Sequence, residues 1–329
     1  MLQRNRKLHK VEGNLMDKQD VICPVLQGYY NMPASKKLKD LKTPWAELLL
    51  ESLPKKVRKI LVDGFLSGTH GANIPNWHIV SDYFRKNSQI IPALIVNPGT
   101  YTMLERMYHC QTASAKIDQY FKMSIAGGQA LFNRYQAINS HGIKHVNKVL
   151  QKQEECLMID IGSGPGRNGI DMCVRSPIFR KRLKIECIDI DAEAIEKGEA
   201  LVEHFNFQNI TFLNKSMMKL NGRYGAGVDY GLLIGVLCGM VREDRVSLLR
   251  ALKPYFKPGA KMVAASLLER MAQVDLLCAY ILRETTGWGL KYTPPGELKK
   301  VFEEAGWIYK GFFQDEPTRL YEIGVAIAP

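Results

Sequence analysis

The sequence predicts an α/β fold: a seven-stranded, mostly parallel sheet with one antiparallel strand near its C-terminal edge, preceded by a mostly helical N-terminal region. Three observations lead there. From Cys156 onward, short apolar runs alternate with helical patterns of roughly 10–15 residues, which calls for βαβ units and a parallel sheet. The last two apolar runs, Trp307–Phe313 and Tyr321–Ile327, are separated only by a short polar turn, and strands joined so tightly must pair antiparallel. The first 110 residues instead show short helical patterns punctuated by seven prolines.

The elements follow in order. Pro44 to Leu66 has apolar residues at helical spacing, interrupted once by Pro54. The next stretch, SGTHGANIPN, is rich in turn formers and reads as a loop. Residues 112–150 read as two helices separated at Ala126-Gly127-Gly128. Cys156–Ile161 is the first strand, and a glycine-rich turn leads into a helix near Asn168–Val174. Strands at Leu183–Ile190, Ile210–Leu213, Val228–Leu237 and Lys261–Leu267 alternate with helices at Ala192–Phe205 and Glu243–Tyr255. An apolar helical insertion, Glu269–Trp288, and a helix at Gly296–Ala305 precede the closing hairpin. The expected division is an extension over 1–111 and a second domain over 112–329.

Composition narrows the class. The chain has 329 residues, of which 46% are hydrophobic and 24% charged, an ordinary globular balance. The net charge of +12 is unevenly placed: residues 1–150 hold 21 Lys+Arg against 10 Asp+Glu, whereas 151–329 hold 24 against 23. Seven cysteines are scattered singly, which reads as reduced thiols in a cytoplasmic protein and gives no zinc-ligand spacing. The N-terminus has charge without an apolar run behind it, and no run approaches the length of a membrane span, so neither a secretory signal nor a span is expected. No metal site is expected either.

The strongest local signal is Asp160-Ile161-Gly162-Ser163-Gly164-Pro165-Gly166, between the first strand and the helix that follows. Glycines let the backbone turn sharply and approach a ligand closely, and the helix behind offers free N–H groups. Gly164 to Gly169 also satisfies the G-x-G-x-x-G of dinucleotide sites, and the string alone does not decide. In that register Pro165 would occupy the tight turn. In the other, Asp160 closes the strand and its carboxylate can orient the loop and meet a ligand ammonium. Asp189, 23 residues after Gly166, ends the second strand where a carboxylate can accept hydrogen bonds from ribose hydroxyls. The antiparallel hairpin favours the second register.

On these blocks, MIDIGSGPGRNG (158–169), ECIDIDAEAIEKG (186–198), ITFLNKSMMKL (210–220), VDYGLLIGVL (228–237), LLRALKPYFKPGAKMVAAS (248–266) and YTPPGELKKVFEEAGW (292–307), the chain resembles the class I S-adenosylmethionine-dependent methyltransferases. Within them it looks most like poorly characterised bacterial members with an N-terminal extension. The resemblance covers about residues 112–329 and implies a Rossmann-like seven-stranded methyltransferase sheet with S-adenosyl-L-methionine as cofactor. It implies that Asp160, Gly162, Ser163, Gly164 and Gly166 line the methionine part of the cofactor. Asp189 would then hold the ribose, with Asp191 as the alternative, and Ile190 would pack on the adenine. Ser216 and Met217 would flank the adenine, although family members often carry Asp where Ser216 stands. Gly235, with its neighbours Ile234 and Val236, would lie near the transferring methyl.

On the acceptor side, Arg134 and Tyr135 occupy positions where the resemblance places cofactor- or substrate-contacting side chains, and Tyr292, at the start of the last block, is expected to face the pocket. No catalytic residue is identified: the fourth strand is followed by no N-P-P-Y or D-P-P-Y string, and His141 and His145 read as packing histidines. The sequence therefore favours a small-molecule acceptor with a carboxylate or hydroxyl, methylated by direct in-line transfer. The alternative is an RNA or protein methyltransferase whose basic N-terminal region docks an acidic partner. Nucleic acid is the less favoured partner, because the basic residues are not interleaved with a recognisable RNA-binding module.

Overall fold

The computed structural model describes residue 28 and residues 30–96, 101–108, 115–220 and 223–329. Its centre is β1 (Cys156–Ile161), which pairs in parallel with β2 (Leu183–Asp189) on one side and β4 (Val228–Leu233) on the other. β3 (Ile210–Asn214) extends the sheet beyond β2, and β5 (Phe256–Leu267) beyond β4, both in parallel. β7 (Tyr321–Ile327) inserts between β5 and the edge strand β6 (Ile308–Gln314) and runs antiparallel to both. The order is β3-β2-β1-β4-β5-β7-β6, the seven-stranded mixed sheet that the sequence predicts. Because β1 leads to β2 on one side and β4 lies on the other, the chain reverses direction across the sheet between β1 and β4. Parallel α/β sheets bind ligands outside the carboxyl ends of strands at such a switch point.

The alternation of side chains along each strand divides the core in two. Met158, Tyr230, Leu232, Val263 and Ala265 belong to one apolar cluster, and Ile159, Ile161, Leu233, Met262 and Ala264 to the other. The second cluster is covered by α12 (Arg242–Leu252) and α15 (Glu297–Glu304). Trp307 sits within it and anchors its indole N–H on the Leu249 carbonyl at 2.9 Å. The first cluster continues without a break into the N-terminal helices.

Those helices are built as the sequence suggests. Among them α1 is the short Ala34–Lys37. α2 (Pro44–Ser52) starts on Pro44, and α3 (Lys55–Ser67) buries Val57, Leu61 and Phe65, four residues apart. α4 (Trp77–Asn87), α5 (Ile90–Val96) and α6 (Tyr101–Tyr108) follow. α7 (Lys116–Met123) and α8 (Ala130–Leu150) are separated by a π turn at Ile125–Gln129. A Cβ at Gly128 would collide with the Lys122 carbonyl, so the expected break at the glycine pair has a steric cause.

The insertion after β5 forms α13 (Glu269–Val274) and α14 (Leu276–Thr286), parted at Asp275, whose carboxylate caps α14 by accepting from Cys278 N at 3.1 Å. Leu276 to Leu282 is buried without interruption, as expected for a helix enclosed on all sides. Tyr280 packs edge-on against Phe65 and Trp77, with centroids 5.4 and 5.9 Å away. Glu284 receives the Tyr30 hydroxyl and the Gly71 amide, which ties the N-terminal helices to this insertion. α9 (Arg167–Arg175), α10 (Phe179–Arg182) and α11 (Ala192–His204) complete the helices around β1 to β3.

Several element ends differ from the sequence expectation. β4 stops at Leu233, and β5 starts five residues earlier than expected, at Phe256. Residues 1–27, 29, 97–100, 109–114 and 221–222, with Cys23 and Cys110 among them, lie outside the described residues. The five described cysteines are free thiols, and no described helix is long and apolar enough to cross a membrane.

Candidate active site

The turn after β1 is shaped by backbone conformation. Gly162 has φ +65°, and a Cβ there would lie 2.4 Å from Val236 Cγ2, so the turn and the end of β4 approach closely only because no side chain intervenes. Gly166 has φ +70°, and a Cβ would meet Cys187 Sγ at 2.8 Å and the Phe212 ring at 3.0 Å. The turn hangs from β2. Gly162 N donates to the Ile188 carbonyl at 2.8 Å, and Gly164 N donates to Asp189 Oδ2 at 2.7 Å. The other Asp189 oxygen accepts from Asp191 N at 2.9 Å. Asp191 itself caps α11, accepting from Glu193 N and Ala194 N.

A cleft of about 230 Å3 opens above this turn, at the switch point. Gly162, Ser163, Gly164, Asp189, Ile190 and Gly235 line it, so six of the sequence-predicted residues converge on one place. Ile190 projects into it with 70% exposure, unusual for an aliphatic side chain. Asp160 lies beneath, 1% exposed, with its Oδ2 lacking any partner. Burial pushes its carboxyl up to about 7; the hydrogen bond from Asn168 pulls the other way, and the Asp189 charge adds to the rise. Asn168 lines the cleft, and its own Oδ1 is buried and unpartnered. Asp160, expected to line the methionine part of the cofactor, is thus buried behind the turn and is not part of the cleft lining.

Gly166 supports the turn from behind rather than lining the cleft. Ser216 and Met217 also stand outside the cleft lining. The Ser216 hydroxyl accepts from Met218 N within its own turn at 3.3 Å, and Met217 packs on the second core cluster.

The N-terminal helices supply residues that the sequence reading did not single out. Tyr101, Leu104 and Glu105 of α6 line the cleft. Glu105 is held by Arg167, at the start of α9, through two Nε contacts of 2.8 Å and one terminal-nitrogen contact of 2.7 Å, with both side chains nearly buried. The Tyr101 hydroxyl donates to Glu193 Oε1 at 3.1 Å, and Lys197 Nζ lies 5.2 Å from the Tyr101 ring centroid. The signal in the sequence was a glutamate in an amphipathic helix, and nothing local tied it to an arginine 62 residues away.

A second cavity of about 70 Å3 adjoins the cleft, and Leu104 and Gly235 line both. Its walls come from α6, α7, the π turn, α8, α13, α14 and β7, and are almost wholly apolar. Arg134 and Tyr292 line it, whereas Tyr135 is buried outside both linings. Arg134 is the one charged residue among the described residues of this wall, with its guanidinium 4.5 Å from the Tyr321 ring centroid. Cys238, also on the wall, donates its thiol to the Gly235 carbonyl at 3.2 Å, and burial raises its pKa.

His141 and His145 point elsewhere. His141 stacks on Phe313 with centroids 4.8 Å apart, and His145 packs against Tyr230 at 5.0 Å. Burial lowers both to about 4, helped by the Lys261 charge, which keeps them neutral. Asp229 accepts from Leu157 N at 2.9 Å and from Lys257 Nζ at 2.7 Å at the opposite end of the strands, a structural role.

A glycine turn after β1, a carboxylate ending β2 and this strand order are the features by which the chain resembles the class I S-adenosylmethionine-dependent methyltransferases. Residues 152–306 match the family model described as Methyltransferase domain. The matched segment is a methyltransferase domain, and its fold is that of a methyltransferase solved with S-adenosylmethionine bound. A search of curated sequences gives no significant match. Among solved structures, a "possible exported protein" from Bordetella parapertussis is similar at a TM-score of 0.55 and 15% identity, over 93% of this chain and 96% of that one. Magnesium protoporphyrin IX methyltransferase from Synechocystis PCC 6803 with bound SAH is similar at a TM-score of 0.52 and 15% identity, over 77% of this chain and 100% of that one. At these identities the likeness concerns the fold.

Proposed function

We propose that the protein methylates a small molecule with a carboxylate or hydroxyl acceptor, bound in the apolar cavity while S-adenosyl-L-methionine occupies the adjoining cleft. The observation that carries this reading is the junction of the two spaces at Leu104 and Gly235. In this reading Gly162, Ser163 and Gly164 frame the methionine portion, with Asp160 and Asn168 beneath them receiving its ammonium. Asp189 braces the turn and faces the ribose, and Ile190 lies against the adenine. Gly166, Ser216 and Met217 act as supports of these surfaces rather than as contacts.

The cofactor brings a methyl on a good sulfonium leaving group. The protein's part is then to hold the acceptor in line, exclude water and keep the reacting atoms close. The apolar walls exclude water, and Leu104 closes both spaces from above. The extension over 1–111 serves as a cover through α6, and 112–329 forms the catalytic domain. An almost wholly apolar cavity supports a small apolar acceptor over a charged polymer. The scattered free thiols favour a cytoplasmic enzyme.

Incubation with S-adenosylmethionine and a panel of small carboxylic acids and alcohols, following S-adenosylhomocysteine release, tests the proposal. Turnover of a panel member supports it. RNA binding that weakens steeply with salt, with no small-molecule turnover, would support the polymer alternative instead.

A further inference from the structure

We propose that the acceptor is a small, largely apolar carboxylic acid, and that Arg134 selects it by pairing with its carboxylate. This rests on the methyltransferase reading of the two adjoining spaces. Arg134 is 2% exposed and stands in a wall otherwise made of residues such as Phe121, Leu131, Leu267 and Trp288. A guanidinium is permanently charged, and it is the one charged group among the described residues of this wall. Among ligand groups a carboxylate matches its fork best, through a bidentate, charge-assisted pair. The Tyr321 ring against one face of the guanidinium orients its plane. The Arg134 charge is also felt at the Cys238 thiol, which bonds the Gly235 carbonyl, so the cation lies near the junction with the cleft.

The chemistry of the wall points the same way. Its described residues include no carboxylate and no histidine. An alcohol or ammonium acceptor would have to lose a proton, whereas a carboxylate is already ionised at neutral pH. One carboxylate oxygen would form the new O–CH3 bond as the methyl–sulfur bond breaks, with that bonding pair remaining on sulfur. The carboxylate's negative charge and the sulfonium's positive charge cancel, giving a neutral ester and a thioether, and no proton is released.

The test is calorimetric titration of the full chain, saturated with S-adenosylhomocysteine, using hexanoate and its neutral counterpart 1-hexanol. The wild type should bind hexanoate at least about tenfold more tightly, in line with a charge-assisted pair. Arg134→Met should lose about that factor for hexanoate and change by less than threefold for 1-hexanol, and Arg134→Lys should recover part of the loss. Equal affinities in the wild type, binding of neither probe, or unchanged hexanoate affinity in Arg134→Met would overturn the inference. If Arg134→Met does not fold, the wild-type comparison decides. Failure to bind S-adenosylhomocysteine would instead overturn the reading on which the inference rests.

Discussion

Replacing Glu105 by glutamine tests whether α6 is part of the cofactor site or merely lies near it. The wild-type carboxylate meets Arg167 at 2.7–2.8 Å through three contacts, with side-chain exposures of 7% and 15%. Removing one partner of a buried ion pair costs about 3–5 kcal/mol, chiefly because the other charge is left uncompensated. Glutamine keeps one acceptor for Arg167 and the guanidinium retains some contact with water, which lowers the expected cost to about 2–3 kcal/mol. Because this pair joins α6 to the start of α9, beside the Tyr101 contacts with Glu193 and Lys197, we expect the cost to appear as local undocking of α6. Cofactor binding must then restore the closed position, so S-adenosylhomocysteine affinity should fall by up to about 100-fold, at about 1.4 kcal/mol per factor of ten. Calorimetry gives the affinity and a thermal melt gives the stability of the same samples. The double variant Glu105→Gln/Arg167→Met, which removes the stranded charge, should regain about tenfold. A folded Glu105→Gln protein with affinity within threefold of the wild type would refute this reasoning.

Three further outcomes follow from the same geometry. Gly166→Ala forces an L residue into a left-handed conformation and drives a Cβ toward Cys187 and Phe212, so stability should fall by about 2–4 kcal/mol in a denaturant melt; a loss below about 0.5 kcal/mol would mean the turn yields easily. His141 and His145 titrate near 4 in the folded protein against about 6.5 unfolded, so the unfolded chain binds more protons between those values and stability falls as pH drops from about 6.5 to 4. Asp160 and Asp40, raised to about 7 and about 6, act in the opposite sense, so the histidine contribution is the difference between wild type and His141→Phe/His145→Phe, whose melting temperature should decline less over that range. If Asp160 receives the cofactor ammonium, affinity for S-adenosylmethionine should weaken as pH falls below about 7, by at most about tenfold per pH unit, and Asp160→Asn should flatten that dependence; an identical pH profile in the variant would remove Asp160 from the site.

The parts of this molecule that were legible in the sequence are those whose determinants are local. Cys156–Ile161 is a strand because six consecutive residues suit a buried position, and the turn after it is glycine-rich because three successive bends need left-handed backbone. The closing hairpin was legible because its connection is too short for a crossover. What sequence reasoning missed depends on contacts across long separations. Glu105 meets Arg167, Tyr101 meets Glu193, and the apolar cavity gathers α6, α8, α14 and β7 from segments more than 200 residues apart. Asn168 was visible in the motif, but only the buried environment shared with Asp160 marks it. At Ser216 the hydroxyl accepts from Met218 N within its own turn, a local contact that the sequence pattern did not indicate.

The charge asymmetry also gains meaning. Residues 1–150 carry nearly all of the net +12, yet the part of that region that reaches the cleft does so through Tyr101, Leu104 and the acidic Glu105. The described contacts of these three residues with the site are therefore made by apolar packing, the Tyr101–Glu193 hydrogen bond and the Glu105–Arg167 ion pair.

The most direct test of the central claim, that the cleft between the Gly162–Gly166 turn and Ile190 holds the cofactor, is calorimetric titration of the full chain and of Asp189→Ala with S-adenosylhomocysteine. The account predicts one site per chain in the wild type and at least about tenfold weaker binding in the variant, since Asp189 both braces Gly164 and faces the cleft. No binding by the wild type, or equal affinity in a folded Asp189→Ala protein, would contradict it.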